Sequence, residues 1–169
     1  FVTSDIAISQ SMLQRALSRA NAVSFNRISV DGDMSTNDMA IVLANGTAGN
    51  PTITEDCPEL TQFEKALEHV MVTLARMIAR DGEGATKLIE VAVSGGASEE
   101  EACLVARAIA NSSLVKTAVH GADANWGRII AAIGYSGVEF EPDGVTIALN
   151  DVPVLLPGYQ IVVDEEKAT

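Results

Sequence analysis

Asp81-Gly82-Glu83-Gly84-Ala85-Thr86-Lys87 sets one carboxylate between two glycines at the end of a strongly periodic helical pattern. Glycine takes positive φ at little steric cost and lets the backbone bend sharply, so Glu83 sits where the main chain is turned to present it. Two chemistries fit. One is a solvated acid that marks a helix stop; the other is a carboxylate anchor for a cationic amine. Spacing alone leaves both open. Phosphate binding is disfavoured, because Gly82, Gly84 and Lys87 match neither the P-loop nor the dinucleotide fingerprint and a glutamate inside the loop repels phosphate.

A second dense cluster is Asp123-Ala124-Asn125-Trp126-Gly127-Arg128, which holds the only tryptophan of the chain. A helix start attracts anions and arginine grips carboxylates in bidentate fashion. Against that, tryptophan commonly fills a core and arginine commonly pairs with a neighbouring acid, and the structural reading is preferred. Asp31-Gly32-Asp33 with Asn37 and Asp38 invites a calcium loop. The glycine and glutamate that such a loop needs are replaced by Thr36 and Val42, so a hairpin turn whose short acids bond their own backbone fits better. His69 falls among Glu64, Lys65 and Glu68 on the charged side of a helix, and His120 has no serine or cysteine in a nucleophile setting. Cys57 and Cys103 show none of the short spacings of a zinc site and read as buried free thiols in a reducing compartment.

Composition narrows the field. Of 169 residues, 47% are hydrophobic and 20% charged, the profile of a chain that buries a core. One domain is the starting expectation. The formal net charge is −12 and the eleven Lys and Arg are scattered, which disfavours nucleic acid and anionic membranes as partners. No run approaches the roughly 20 apolar residues of a membrane span, and Phe1-Val2-Thr3-Ser4-Asp5 lacks the basic-then-apolar order of a signal peptide. A soluble cytoplasmic protein is expected.

The elements that must position these clusters follow from periodicity. Phe1 to Thr3 reads as the end of a strand, and Ser9 through Met12, Leu13, Ala16, Leu17 and Ala20 as a helix. Phe25 to Val30 and Met39 to Ala44 read as two β-prone runs around the polar turn, and Gly46 to Cys57 as loop. Leu60, Phe63, Leu67, Val70, Met71, Leu74, Met77 and Ile78 predict a long helix opened by Pro58. Thr86 to Val93 reads as a buried strand, and Ser98-Glu99-Glu100-Glu101 as a capping box that opens a helix to about Asn111. Leu114 to Val119 is a further strand candidate, and Asp123 is a candidate cap for a short helix over Trp126 to Ile133. Val145 to Leu149 and Val152 to Leu156 read as a hairpin.

Taken in order, Ser29-Val30-Asp31-Gly32-Asp33 with Ser35-Thr36-Asn37-Asp38, then Asp81 to Lys87, then Asn125-Trp126-Gly127-Arg128-Ile129 resemble the β chain of the ornithine acetyltransferase family of arginine biosynthesis, also called bifunctional glutamate N-acetyltransferase. The resemblance covers essentially the whole chain. It implies an α/β fold, a layered sandwich with a sheet core between helices, over a single unit 1–169 that is most of the β chain and truncated at both ends. It also implies a precursor that cleaves itself before a threonine, whose freed amine and hydroxyl act as base and nucleophile. That threonine takes acetyl from N-acetylornithine and passes it to glutamate in a ping-pong cycle.

In the family the nucleophile lies a few residues before the stretch matching Phe1 to Asp5, and Thr3 is not its match. The isolated chain is therefore expected to be inactive, with no catalytic residue of its own and no metal. Met34 and Met39 depart from the threonines more usual in the family. Glu83 is the one substrate-binding position carried over, as the group that holds a substrate amino group, whereas Asn125 and Arg128 receive no catalytic role. The resemblance further implies the α chain of the same precursor as partner in a hetero-oligomer, and no cofactor, with acetyl-coenzyme A as a possible donor in bifunctional members. The rivals are a self-cleaving aminopeptidase of related architecture and a noncatalytic structural fragment that binds a partner chain.

Overall fold

Ser9 closes the first turn of a helix by accepting the Met12 N–H on its hydroxyl, and the chain then follows its helical pattern from Gln10 to Ala22. In the computed structural model, which describes residues Phe1 to Val162, this helix, α1, follows a short strand β1 (Val2–Ser4). The described residues group into two compact units, one from Phe1 to Glu83 and one from Gly84 onward, where composition had suggested one.

In the first unit, β1 pairs in parallel with β2 (Val42–Ala44), Val2 opposite Val42 and Ser4 opposite Ala44. Parallel strands need a crossover rather than a hairpin, and α1 supplies it. This corrects the expected pairing of two β-prone runs. Phe25 to Arg27 is a 3-10 turn, and the buried Ser24 hydroxyl donates to the Ala20 carbonyl at 2.6 Å as α1 ends. Phe25 packs on the core instead of extending into a ladder. The polar turn has the local chemistry expected of it: the Asp33 N–H donates to Asp31 Oδ1 and the Asn37 N–H to Ser35 Oγ.

The long helix α2 runs from Pro58 to Arg80. Cys57 is its cap, with Sγ accepting the Leu60 N–H at 3.4 Å. Both cysteines are free as expected, but both are half-buried rather than buried. Ala16 and Ala20 on α1 meet Leu67 and Met71 on α2, with Val2, Leu17, Val42 and Phe63 around them. Alanine on one helix leaves room for the larger side chains of the other. Only part of the α2 stripe is used: Leu60, Leu67 and Met71 are buried, while Val70, Met77 and Ile78 are exposed.

In the second unit, Ser98 caps α3 (Glu99–Asn111) through the Glu101 N–H, and Ser112 caps α4 (Ser113–His120) through the Val115 N–H. The strand expected over Leu114 to Val119 is thus a helix. Its β-branched residues point to a strand, but the Ser112 cap and the i, i+3 pair Val115 and Ala118, both buried, make it helical. Asn125, not Asp123, caps α5 (Trp126–Gly134). Val105, Ile109, Val115 and Ala132 form one core cluster from the three helices.

The run over Thr86 to Val93, expected as a strand, has no ladder pairing among the described residues and is not buried throughout. Val91 and Val93 nevertheless pack on the helical core, and Leu88 is exposed. The chain closes with an antiparallel meander of β3 (Ile147–Leu149), β4 (Val152–Leu156) and β5 (Gln160–Ile161). Asn150 and Asp151, at φ 49° and 65°, make the tight turn of the expected hairpin. Ile147, Val154 and Leu155 are its buried core, with Trp126 packed beside them.

Candidate functional site

The turn that carries Glu83 begins where α2 runs out. The Asp81 N–H still donates to the Met77 and Ile78 carbonyls, and Gly84 then takes φ 69°, a left-handed conformation that L side chains adopt only with strain. Glu83 is exposed, and its carboxylate has no hydrogen-bond or ion-pair partner among the described residues. It closes the first unit, and Gly84 opens the second.

Beyond the turn, the chain is fastened to the C-terminal end of α4. Lys87 Nζ donates to the Val119 carbonyl at 2.6 Å, and Thr86 Oγ1 lies 3.3 Å from His120 Nδ1. A helix C-terminus leaves carbonyls without intrahelical partners and carries a partial negative charge, so an ammonium is favoured there. The sequence placed Lys87 inside the motif but gave no sign that its partner would be a helix end.

The second cluster reaches the same helix from the other side. Asn125 Oδ1 accepts the Arg128 N–H at 3.1 Å, and Asn125 Nδ2 donates to Asp123 Oδ2 at 3.0 Å. A Cβ on Gly127 would stand at an ordinary van der Waals distance, 3.5 Å, from that Asn125 oxygen, so the cap itself does not require glycine there. Arg128 Nη1 donates to the Leu114 carbonyl at 2.8 Å and to Thr117 Oγ1 at 3.0 Å. Trp126 is a core residue. Asn125 and Arg128 thus have partners within the fold, and those of the arginine side chain are a backbone carbonyl and a hydroxyl where an acid was expected.

Other candidates stay apart. His69 is exposed on α2, where its carbonyl accepts the Thr73 hydroxyl. Thr3 lies inside β1 with its side chain exposed. Among the described residues no three His, Cys, Asp or Glu stand close enough to hold a metal ion. No single helix there is long and apolar enough to cross a membrane; α3 and α4 pass that test only as a pair bent by 60°, and Val105, Ile109 and Val115 from that pair lie in the core.

Fold and motifs together define a mixed α/β protein that keeps intact both a glycine-bounded acidic turn and an asparagine-capped Trp-Gly-Arg helix. The ArgJ family model matches residues 1–169, and the chain belongs to the ArgJ family. It is 52% identical over 169 residues to the arginine biosynthesis bifunctional protein ArgJ of Geobacillus kaustophilus, covering 100% of this chain and 41% of that protein. The ArgJ protein of Dehalococcoides mccartyi is 53% identical over 167 residues, 99% of this chain and 41% of that one. The crystal structure of ArgJ from Bacillus halodurans superposes with a TM-score of 0.95 at 52% identity, over 99% of this chain and 79% of that chain. This chain spans about two-fifths of the length of the curated relatives it matches.

Proposed function

We propose that this chain is most of the β chain of an acetyltransferase that moves acetyl from N-acetylornithine to glutamate in arginine biosynthesis. The observation that carries the reading is the match of the whole chain to the ArgJ family, whose relatives bear the name arginine biosynthesis bifunctional protein. The nucleophile is a threonine upstream of Phe1, freed by self-cleavage. Its hydroxyl oxygen bonds to the acetyl carbon while its own amine takes the hydroxyl proton. That proton passes to the ornithine nitrogen as the C–N bond breaks; glutamate's neutral amine then bonds to the acetyl carbon and gives up a proton, through the threonine amine, to the threonine oxygen as the C–O bond breaks. A terminal amine titrates near neutrality, so no histidine is required.

Glu83 is the anchor for a substrate amino group. An exposed carboxylate with no partner among the described residues, held on a bent turn, is free to take an ammonium in this way. The α chain of the same precursor is the partner, with each substrate in its N-acetylated form at one stage of the cycle. No cofactor is needed; acetyl-coenzyme A is a further donor if the enzyme is bifunctional. In the assembled enzyme the short strands belong to a layered sandwich. Leu43, exposed on the outer face of the β1–β2 pair, supports this, because parallel sheets are usually covered on both faces. A cytoplasmic location agrees with two free thiols.

The test uses the full-length, self-processed enzyme with N-acetylornithine and glutamate. The expected result is N-acetylglutamate with ping-pong kinetics, and no turnover by the isolated chain. Glu83→Ala is expected to raise KM for N-acetylornithine by about tenfold to a hundredfold with the fold intact, as loss of a charge-assisted contact does. Peptide hydrolysis in place of acetyl transfer would favour the aminopeptidase reading, and an unchanged KM would return Glu83 to a solvated loop acid.

A further inference from the structure

Two motifs about forty residues apart in sequence both fasten to the backbone of one short helix. Arg128 holds the first turn of α4 at the Leu114 carbonyl and at Thr117 Oγ1. Lys87 holds its last turn at the Val119 carbonyl, and Thr86 meets His120 beside it. The helix itself is set by Ser112 at its start and by buried Val115 and Ala118. Its last turn is also tied by its own backbone: the Val119 carbonyl accepts the Ala122 N–H at 3.2 Å, and the Ala118 carbonyl accepts the Asp123 N–H at 2.9 Å. Lys87 therefore reaches a fixed point rather than a mobile one.

An exposed lysine ordinarily stays in water, since ordering its long side chain costs rotamer entropy. Here the ammonium donates to a helix-end carbonyl, where both the hydrogen bond and the helix dipole favour it. The tie lies four residues after Glu83 in the same turn, and Gly84 at φ 69° is the flexible link between them. Without a fixed stem, a carboxylate beside such a glycine would sample many orientations.

We propose that Lys87, bound to the Val119 carbonyl of α4, is a positioning residue that fixes the stem of the Glu83 turn. Arg128 acts at one further remove by holding α4. Neither side chain touches substrate; they lower the entropy that Glu83 loses when it captures an amine. The inference rests on the reading of Glu83 as a substrate anchor.

The experiment compares Lys87→Met, Lys87→Arg, Thr86→Val and Glu83→Ala in the full-length, self-processed enzyme. Lys87→Met is expected to raise KM for N-acetylornithine about fivefold to tenfold with kcat within about twofold. Lys87→Arg, which can still donate to the carbonyl, restores KM to within about threefold. Thr86→Val, the milder change, raises it about twofold to threefold. Backbone order parameters at residues 84 to 87 are expected to fall in Lys87→Met while those of α5 are unchanged, a readout independent of turnover. If Glu83→Ala raises KM and neither Lys87→Met nor Thr86→Val does, the positioning role is overturned while the anchor stands. If Glu83→Ala itself leaves KM unchanged, the anchor reading fails and this inference with it.

Discussion

Asn50 does with one side chain what a neighbouring strand does with its backbone. Its amide oxygen accepts the Ala7 N–H at 2.9 Å, and its amide nitrogen donates to the Ala7 carbonyl at 3.0 Å and to the Pro51 carbonyl at 2.7 Å. Ala7 is half-buried, so in Asn50→Ala its N–H would lose its acceptor, while its carbonyl keeps the Ile53 N–H. That variant is expected to lose about 1–3 kcal/mol in a urea melt. Nothing in the sequence marks Asn50, because a loop asparagine looks alike whether it bonds its own turn or a residue more than forty positions away. Glu83 is the opposite case. Its flanking glycines made it visible at once, since glycine is what a left-handed bend requires. Lys87 stood in the same motif, yet the Val119 carbonyl that gives it a role was beyond local inspection.

Between elements, α1 and the loop before α2 share a small ion network. Arg15 is bonded to Asp56, with Nε 3.9 Å from Glu64, and Arg19 Nη1 donates to Glu64 at 2.9 Å. The hydrogen bond from Arg15, with the charges of Arg15 and Arg19 behind it, holds the Asp56 carboxyl below its ordinary value of 3.8 against a smaller opposing push from desolvation. A carboxylate depressed on folding stabilises above its unfolded value, and the contribution fades as pH falls through the folded one. The stability difference between the native chain and Asp56→Asn is therefore expected at neutral pH and should close as pH drops below 3.8, followed by thermal melts across that range. Asp56 is 80% exposed, so the difference is small and shrinks with salt. The helices α1, α2, α3 and α5 were legible from apolar periodicity and from Ser9, Pro58 and Ser98. The helix α4 was not, because eight residues rich in β-branched side chains give propensity the wrong sign while a single cap decides the outcome.

At the scale of the whole chain, 23 acidic residues face 11 basic ones. Self-repulsion of that excess opposes the compact state, and screening relieves it. The melting temperature is expected to rise by a few degrees as salt goes from about 10 to about 150 mM, measured by circular dichroism; a fall would mean that local ion pairs such as Arg15–Asp56 outweigh the net field. The sequence by itself determined the mixed α/β class, the long helices, the last hairpin and the three motifs on which the resemblance to the family rests. Those features are carried by periodicity, caps and turn residues that lie within a few positions of one another. Only the tertiary structure decided that β2 pairs in parallel with β1 instead of with its neighbour, that the chain divides at Glu83, and that Lys87 and Arg128 meet on α4. Each of these depends on which distant groups the packed helices bring within reach of one another, and a linear pattern does not record that.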